Sequence, residues 1–141
     1  LRALAHGIFP PLLMSGGLRE ALPAAAGRAA VPTTVAFGES GRYGNDIEAA
    51  VYFCTLEALQ NAGKHAGEGA SATVTVAEAD GELRFEIRDD GAGFVMNERA
   101  DGHGFVNMAD RGGAVGGTVE LTTTPGAGTT ITGTIPLPGP A

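Results

Sequence analysis

The chain has 141 residues, of which 43% are hydrophobic and 18% charged, so a core of ordinary size for one domain can form. The formal net charge is −7 and the Lys and Arg residues are scattered, which argues against a nucleic-acid partner. A single cysteine, Cys54, excludes an internal disulfide and is typical of a reducing compartment. No apolar run approaches the roughly 20 residues of a membrane span.

Glycine is the most informative residue type in the composition. The chain holds 23 glycines, and many gather in its last third, where backbone is expected to come close to a ligand or a neighbouring segment. This cluster comprises Gly91, Gly93, Gly102, Gly104, Gly112, Gly113, Gly116, Gly117, Gly126 and Gly128. The pairs Gly112-Gly113 and Gly116-Gly117 are typical of a helix end and a strand entry, which leaves the other glycines for a loop-built site.

The order of predicted elements indicates an α+β domain. In chain order, periodicity and turn residues predict the end of a helix over residues 1–7, a helix over 18–30, a strand over 31–38, a long helix over 45–66, strands over 71–79 and 82–88, a helix over 105–114, and strands over 118–123 and 129–136. Asp80-Gly81 and Pro125-Gly126 predict turns between consecutive strands. We expect a two-layer α/β sandwich in which helices cover one face of a mixed sheet.

Helix-boundary residues frame these elements. Pro10-Pro11 predicts the end of the first helix. Asn45 is a predicted N-cap of the long helix, with Glu48 completing a capping-box variant. Gly67 is placed to stop that helix at its C-terminal end.

One face of the long helix changes from apolar to polar along its length. At helical spacing, this face consists of Ile47, Ala50, Val51, Cys54, Ala58, Asn61, Ala62 and His65. Glu57 and Asn61 lie on one face, and Lys64 and His65 follow one turn later. This end of the helix is either a partly solvated terminus or the wall of a pocket. In a pocket, the Asn61 amide oxygen could ligate a hard cation such as Mg²⁺, and Glu57 could act as a base or orient a water.

Two glycine-punctuated segments follow the predicted hairpin. Asp89 ends a strand next to Gly91 and Gly93, a position that suits accepting a hydrogen bond from an exocyclic amine such as that of adenine. Gly102-His103-Gly104-Phe105 then leads into a helix, whose free N-terminal amides can bind phosphate. The dinucleotide-binding and P-loop motifs are both absent. Taken singly, each segment could be an irregular loop with glycine turns.

Together, these segments resemble the nucleotide-binding motifs of sensor histidine kinases. The resemblance rests, in chain order, on Glu57-x-x-x-Asn61-Ala62-x-Lys64-His65 (the N-box), Asp89-x-Gly91-x-Gly93-Phe94 (the first glycine box), Gly102-x-Gly104-x-x-x-Met108-x-x-Arg111 (the second glycine box) and Pro125-x-Ala127-Gly128-Thr129 with the closing Ile135-Pro136. Residues 44–138 are thus similar to a GHKL-type ATPase domain with the Bergerat fold. The short lid over residues 95–101 and the segment over residues 1–12 resemble the nitrate-sensor (NarL/NarX-like) subfamily.

The resemblance implies a role for each matching residue. It implies ATP and Mg²⁺ as cofactors and transfer of the ATP γ-phosphoryl group to a histidine. Asp89 would bind the adenine amine, Asn61 would hold Mg²⁺ against the phosphates, and Glu57 would polarise the acceptor histidine or a water. The other residues implied to border the nucleotide are Lys64, His65, Gly91, Gly93, Phe94, Gly102, His103, Gly104, Phe105, Met108 and Thr129.

The chain departs from the family pattern in the second glycine box and in the acceptor region. Leucine is usual at the positions of His103 and Phe105, and arginine at that of Ala109, so Arg111 alone would carry that part of the motif. His103 either contacts phosphate or is a solvated lid residue. His6 lies in the segment that matches the second dimerisation helix and is not expected to be an acceptor. The chain is therefore expected to bind ATP without phosphorylating itself.

The resemblance also implies a larger protein. Residues 1–30 would be the end of the dimerisation and phosphoacceptor helical region with its connector, residues 31–138 the ATP-binding catalytic domain, and residues 139–141 a tail. The implied partners are the phosphoacceptor domain of the same protein and a response regulator, in the cytoplasmic part of a bacterial sensor kinase, without direct membrane contact. Two alternatives stay open: a serine kinase of the anti-sigma-factor type, and a degenerate domain acting as a nucleotide-gated interaction module.

Overall fold

The computed structural model describes residues 10–65, 67, 69–92 and 102–138, with the backbone only for His65 and residues 102–104. Within these ranges the elements, in chain order, are α1 (Pro11–Gly16), α2 (Leu18–Gly27), β1 (Thr33–Phe37), α3 (Asn45–His65), β2 (Ala72–Ala79), β3 (Glu82–Asp89), α4 (Gly102–Ala114), β4 (Thr118–Thr124) and β5 (Gly128–Pro136). The predicted helix end over residues 1–7 lies outside the described residues. None of the helices in the described ranges is both long and apolar enough to span a bilayer.

The strands in the described part of the chain form one five-stranded mixed sheet in the order β1-β2-β3-β5-β4. The first pair, β1 and β2, is parallel because α3 forms the crossover between the two strands. The other neighbours are antiparallel. The predicted β2–β3 hairpin is confirmed: Asp80 and Gly81 both have positive φ (56° and 77°), as a tight two-residue hairpin turn requires.

The alternation of side chains along the strands explains why helices cover one face of the sheet. In β3, Leu83, Phe85 and Ile87 are buried, whereas the side chains between them are more exposed. The same alternation continues in β2 and β5, and the buried set packs against α3 in one core. Polar residues, many of them threonine, occupy the opposite face. The predicted two-layer α+β sandwich, with a mixed sheet and helices on one face, is confirmed.

Both N-terminal helices contribute to this same core. Leu13 of α1 and Leu22 of α2 are buried against it. Pro11 begins α1, because proline at the first helical position loses no intrahelical hydrogen bond. The helix that Pro10-Pro11 is predicted to end lies outside the described residues. Residues 11–27, which the sequence assigns to the helical region and connector, therefore pack directly on the sheet-bearing part of the chain.

Several helix boundaries differ from the predictions. The second helix, α2, ends at Gly27 rather than at residue 30, and α4 begins at Gly102 rather than at residue 105. Gly112 and Gly113 do not end α4 but lie inside it, where the lack of a side chain at Gly112 allows close approach of Val119 from β4. Gly116, with φ 79°, follows the helix end.

The start of α3 is capped differently from the predicted Asn45 box. The Glu48 N–H donates to the Gly44 carbonyl at 3.0 Å, so Gly44 takes the cap position and Asn45 is the first helical residue. The Glu48 carboxylate reaches back further than expected and accepts the Tyr43 N–H at 3.1 Å. The capping box centred on Asn45 was therefore wrong, although Glu48 does turn toward the residues before the helix.

Glu48 is instead the centre of a buried ionic contact. Its side chain is only 1% exposed and accepts a hydrogen bond from Arg42 Nε at 3.1 Å. The same guanidinium donates to the carbonyls of Met14 at 3.2 Å and Ser15 at 3.4 Å, near the end of α1. This contact joins α1, the segment before α3 and the first turn of α3.

Replacing Glu48 by alanine is expected to lower the free energy of unfolding by about 2–4 kcal/mol, because it removes a buried carboxylate and leaves the Tyr43 N–H without its acceptor. Denaturant unfolding of the chain measures this loss. The exposed Glu120 on β4 is the matched control, and Glu120→Ala should stay within about 0.5 kcal/mol of the parent chain. Equal effects of the two substitutions would show that the Glu48 contact adds nothing.

Candidate functional site

Strand register brings three polar residues into one row on the buried face of the sheet. Asp89 at the end of β3 pairs with Thr129 on β5, which in turn pairs with Thr123 on β4. Side chains directly opposite one another in antiparallel strands have Cβ atoms about 5 Å apart. Asp89 and Thr129 are only 8% and 9% exposed. Polar groups thus line up at the end of an otherwise apolar sheet face.

The backbone around Asp89 is held by two loops. The Gly91 N–H donates to Asp89 Oδ1 at 3.0 Å. At Gly128, which has φ 83°, an added Cβ would overlap the Asp89 carbonyl oxygen, so only glycine fits there. The Gly126 N–H donates to the Ala92 carbonyl, which joins the β4–β5 turn to the loop after β3. These contacts explain Gly128 as a close approach of backbone to Asp89, whereas at Gly126 the positive φ of 83° is what favours glycine.

The next residue, Asp90, anchors the loop to the start of β2. Its carboxylate accepts the Ser71 N–H at 2.8 Å and the Ser71 hydroxyl at 3.1 Å. These hydrogen bonds lower the pKa of Asp90 because they favour the ionised form. Asp89 and Asp90 therefore differ in orientation: Asp90 fixes the loop from the outside, and Asp89 faces the helix layer.

A small pocket separates Asp89 from α3. Its walls are apolar side chains with Asn61, Asp89 and Thr129 as the polar groups, and the lining residues are Ala58, Asn61, Ala62, Ile87, Asp89, Leu121, Thr129 and Ile131. The cavity volume is about 10 Å³, close to the space that one water needs. A planar ring would enter only if these walls move apart. Ala58 and Ala62 have small side chains without polar groups. Asn61, Asp89 and Thr129 would therefore orient such a ring.

Glu57 lies on the adjoining side of α3 and lines a separate, wider groove of about 850 Å³ between α3 and α4. Arg111 of α4 also lines this groove, and its guanidinium lies 4.5 Å from the centre of the Phe53 ring. The groove is lined by the apolar Phe53 and Leu56 together with polar side chains, which include the carboxylates of Glu57 and Asp110 and the stacked guanidinium of Arg111. The structure brings Asn61 together with Asp89, and it places Glu57 one turn away from them.

Other residues with predicted roles lie elsewhere. Lys64 is exposed and lines a third groove, with Arg28 of α2, rather than the pocket with Asp89. Met108 is 1% exposed and packs in the core, and its place at the nucleotide stays a prediction. Phe105 is partly buried against the same core. These apolar side chains fix α4 on the sheet instead of lining the pocket.

The lid region contains the remaining predicted residues. Gly93 and Phe94 lie outside the described residues. The backbone of Gly102, His103 and Gly104 forms the first turn of α4, where amide N–H groups have no intrahelical acceptor. The first turn of α4 therefore offers amide donors that the helix itself does not pair, the kind of donor predicted for a phosphate site. The side chains of His103 and His65 lie outside the described residues.

Cys54 is buried between α3 and α4 and is chemically inert. Burial raises the pKa of the Cys54 thiol to about 12, with a smaller lowering by Arg111. The protonated thiol donates to the Met108 carbonyl at 3.5 Å. Cys54 therefore serves packing and is no nucleophile at neutral pH.

A dedicated protein cage for a metal is not found in the described part of the chain, where no three His, Cys, Asp or Glu side chains converge. Asn61 supplies a single hard oxygen at the pocket rim. A divalent cation held this way would need further oxygen ligands from phosphate and water, which is the coordination that Mg²⁺ takes with nucleotides. The donor set thus fits Mg²⁺ bound with a nucleotide.

Sequence reasoning missed two features of the site. The Thr123 hydroxyl lies 2.8 Å from the Thr129 hydroxyl, a contact that follows from the β4–β5 register and could have been read from the spacing around Pro125-Gly126. The stacking of Arg111 on Phe53 joins two helices distant in sequence, and no local pattern signals it.

Comparisons with known proteins agree with this architecture. The sequence profile of the histidine kinase-, DNA gyrase B-, and HSP90-like ATPases matches residues 46–139, and the chain belongs to this family. Within the family it is an ATPase domain of the histidine kinase type, as its named relatives show. Family membership implies that the chain binds ATP.

Three curated relatives illustrate the similarity. An uncharacterised sensor-like histidine kinase of Chloroflexus aurantiacus is 31% identical over 97% of this chain and 25% of its own length. DegS of Brevibacillus brevis, a signal transduction histidine-protein kinase/phosphatase, is 34% identical over 71% and 26%. The sensor histidine kinase LiaS of Bacillus subtilis is 27% identical over 97% and 39%. The chain therefore spans between a quarter and two fifths of these relatives.

Solved structures show the same fold. The blue-light-activated histidine kinase of Erythrobacter litoralis superposes with a TM-score of 0.70 at 21% identity, covering 96% of this chain and 44% of the other. The mycobacterial sensor histidine kinase MprB gives a TM-score of 0.62 at 18% identity, covering 88% and 95%. Membership of the nitrate-sensor subfamily stays a prediction.

Proposed function

We propose that this domain transfers the γ-phosphoryl group of Mg²⁺-bound ATP to a histidine on the dimerisation domain of the same protein. The observation that supports this most directly is the pocket in which Asn61 of α3 faces Asp89 and Thr129 across an apolar floor. A carboxylate, a hydroxyl and an amide oxygen are the groups that could recognise an adenine ring at one end and a cation at the other.

In this proposal Asp89 selects the base. One carboxylate oxygen already accepts the Gly91 N–H, which fixes the plane of the carboxylate. The second oxygen is then the acceptor for the exocyclic amine of adenine. A charged acceptor in a site that excludes water forms a stronger hydrogen bond than a neutral one, so Asp89 would contribute much of the specificity for adenine.

The phosphates would extend from the pocket toward α4. The amides in the first turn of α4 have no acceptor within the helix, and together with the positive end of the helix dipole they would favour an anion there. Asn61 would ligate Mg²⁺ from the opposite side. When bound, Mg²⁺ supplies charge neutralisation for the transferred group. Lys64 or His65 would also lie near the phosphates; the exposed Lys64 lines a groove with Arg28 in this structure.

Glu57 and Arg111 would act at the reacting end. Phosphoryl transfer depends mostly on positioning and charge stabilisation. Both residues line the open groove beside the pocket, which is wide enough to admit a side chain from another domain. Glu57 would accept the proton of the acceptor imidazole, and the guanidinium of Arg111, held by Phe53, would stabilise negative charge on the phosphoryl oxygens.

The biological context is proposed at the level of the family. The acceptor domain would lie in the same protein, connected through residues 1–30, with residues 31–138 as the catalytic domain and residues 139–141 as a tail. A response regulator would take the phosphoryl group from the acceptor histidine. We place the domain in the cytoplasmic part of a bacterial sensor kinase.

Binding of a non-hydrolysable ATP analogue with and without Mg²⁺ tests the proposal. The parent chain is expected to bind the analogue more tightly with Mg²⁺. Asn61→Ala should abolish most of this enhancement, about 10-fold or more, and retain Mg²⁺-independent binding, because it removes a metal ligand and spares Asp89.

Asn45→Ala is the matched control, since it makes the same exchange at the exposed start of the same helix. It should keep the full response to Mg²⁺. Failure of the parent chain to bind the analogue in either condition would refute nucleotide binding here. A phosphorylated serine, instead of histidine, on the acceptor protein would refute the assigned acceptor.

A further inference from the structure

The hydroxyl pair between Thr123 and Thr129 is a feature that the proposed roles do not use. Their oxygen atoms lie 2.8 Å apart, and either hydroxyl can be the donor. Thr129 lines the pocket with Asp89, whereas Thr123 lies behind it on β4. Thr123 can therefore act on a bound molecule through Thr129.

The geometry of this pair is fixed by the sheet. Thr123 and Thr129 are directly opposite in the β4–β5 register, and Thr129 is directly opposite Asp89 in the β3–β5 register. Threonine has few side-chain rotamers because its Cβ is branched. The pocket thus holds a carboxylate beside a hydroxyl whose second partner is set by the strand behind it.

A hydroxyl has one hydrogen to donate and two lone pairs to accept with. If Thr129 gave its hydrogen to Thr123, it would present only lone pairs to the pocket. If Thr129 accepts from Thr123, its own hydrogen stays available to point into the pocket. The direction of this one bond therefore decides whether the pocket offers an acceptor or a donor next to Asp89.

Binding of the adenine ring edge requires that Thr129 accept from Thr123 and donate its own hydrogen into the pocket. Adenine carries an amine donor at N6 and an acceptor at the neighbouring N1, whereas guanine carries an acceptor at O6 and a donor at N1. With Asp89 accepting from the amine, the adjacent group must donate to N1. An acceptor beside Asp89 would oppose adenine and tolerate guanine better.

We propose that Thr123 is a positioning residue for base recognition, whose hydroxyl donates to Thr129 and so fixes Thr129 as a donor toward the adenine ring. The inference rests on the proposed function, because it takes Asp89 as the acceptor for the adenine amine. It adds that selectivity for adenine over guanine comes partly from a residue that does not line the pocket.

Thr123→Val tests this directly, because valine keeps the branched shape and removes the hydroxyl. We expect AMP-PNP to bind about 5- to 10-fold more weakly, the effect of one hydrogen bond. GMP-PNP should be affected less, so that the preference for adenine falls. Thr123→Ser restores the hydroxyl and should stay within about 2-fold of the parent chain for both nucleotides.

Thr122→Val is the matched control, since Thr122 is the preceding residue on the same strand and is exposed on the opposite face. It should leave both affinities unchanged. Thermal unfolding of each variant, without nucleotide, shows whether the sheet is intact.

The outcomes separate this inference from the proposed function. If the parent chain binds AMP-PNP and Thr123→Val binds it equally well, the role of Thr123 is refuted and the proposed function stands. If Thr123→Val weakens both nucleotides equally and Thr123→Ser does not restore binding, Thr123 has a structural role only, and the inference is again refuted. If the parent chain binds neither nucleotide, the proposed function itself fails.

Discussion

Replacing Asp89 by asparagine is expected to weaken binding of an ATP analogue about 100-fold while the chain keeps its fold. The Gly91 N–H donates to Asp89 Oδ1, so the acceptor oxygen of an asparagine would stay with Gly91. Its amide NH₂ group would then point where the adenine amine also donates. Loss of a charge-assisted hydrogen bond and the meeting of two donors together cost about 2–3 kcal/mol.

Isothermal titration of the chain with AMP-PNP measures this loss. Asp80→Asn is the matched control: it removes the same charge from the β2–β3 turn, where φ is 56° and asparagine is equally suited. That variant should bind like the parent chain. Undiminished binding by Asp89→Asn would remove Asp89 from base recognition and leave the pocket without its main acceptor.

Glu57→Ala is expected to slow phosphoryl transfer while leaving nucleotide binding nearly unchanged. Glu57 lines the groove beside Arg111 and not the pocket that contains Asp89 and Thr129, so the affinity for an ATP analogue should change less than about 3-fold. Transfer to the acceptor histidine should slow by about 10²- to 10⁴-fold, the usual contribution of a positioned general base.

Phosphorylation of the acceptor domain, followed in the full-length protein, measures the transfer. Glu120→Ala, on the exposed face of β4, serves as the control and should transfer at the parent rate. If Glu57→Ala loses nucleotide binding as well, Glu57 has a structural role. If transfer is unchanged, another group accepts the proton.

Local sequence patterns predict those parts of the structure that depend on interactions between residues close in sequence. The Asp80-Gly81 turn fixes the β2–β3 register, and that register places Asp89 at the end of β3 on the buried face. Helical spacing in the same way put Asn61 on the inner side of α3. The fold class and the meeting of Asn61 with Asp89 could therefore be predicted.

Interactions between distant segments could not be predicted in the same way. Glu48 looked like half of a local capping box, but its carboxylate binds Arg42, whose guanidinium also reaches α1. Met108 matches a nucleotide-binding motif by spacing, yet packing of α4 on α3 turns it into the core. A motif records which residues recur together and does not say which of them touch the ligand.

The cross-strand row of Asp89, Thr129 and Thr123 has a consequence for folding. The three residues of this row come from three strands, and the facing Asn61 lies on α3, which precedes all three strands in the sequence. No local fragment of the sequence contains this pocket, so an intermediate that lacks β4 or β5 lacks it too. A nucleotide that occupies the pocket therefore stabilises the fully folded domain and not such intermediates. The stabilisation grows with the nucleotide concentration. The free energy of unfolding of this domain would then depend on the ATP concentration in the cell.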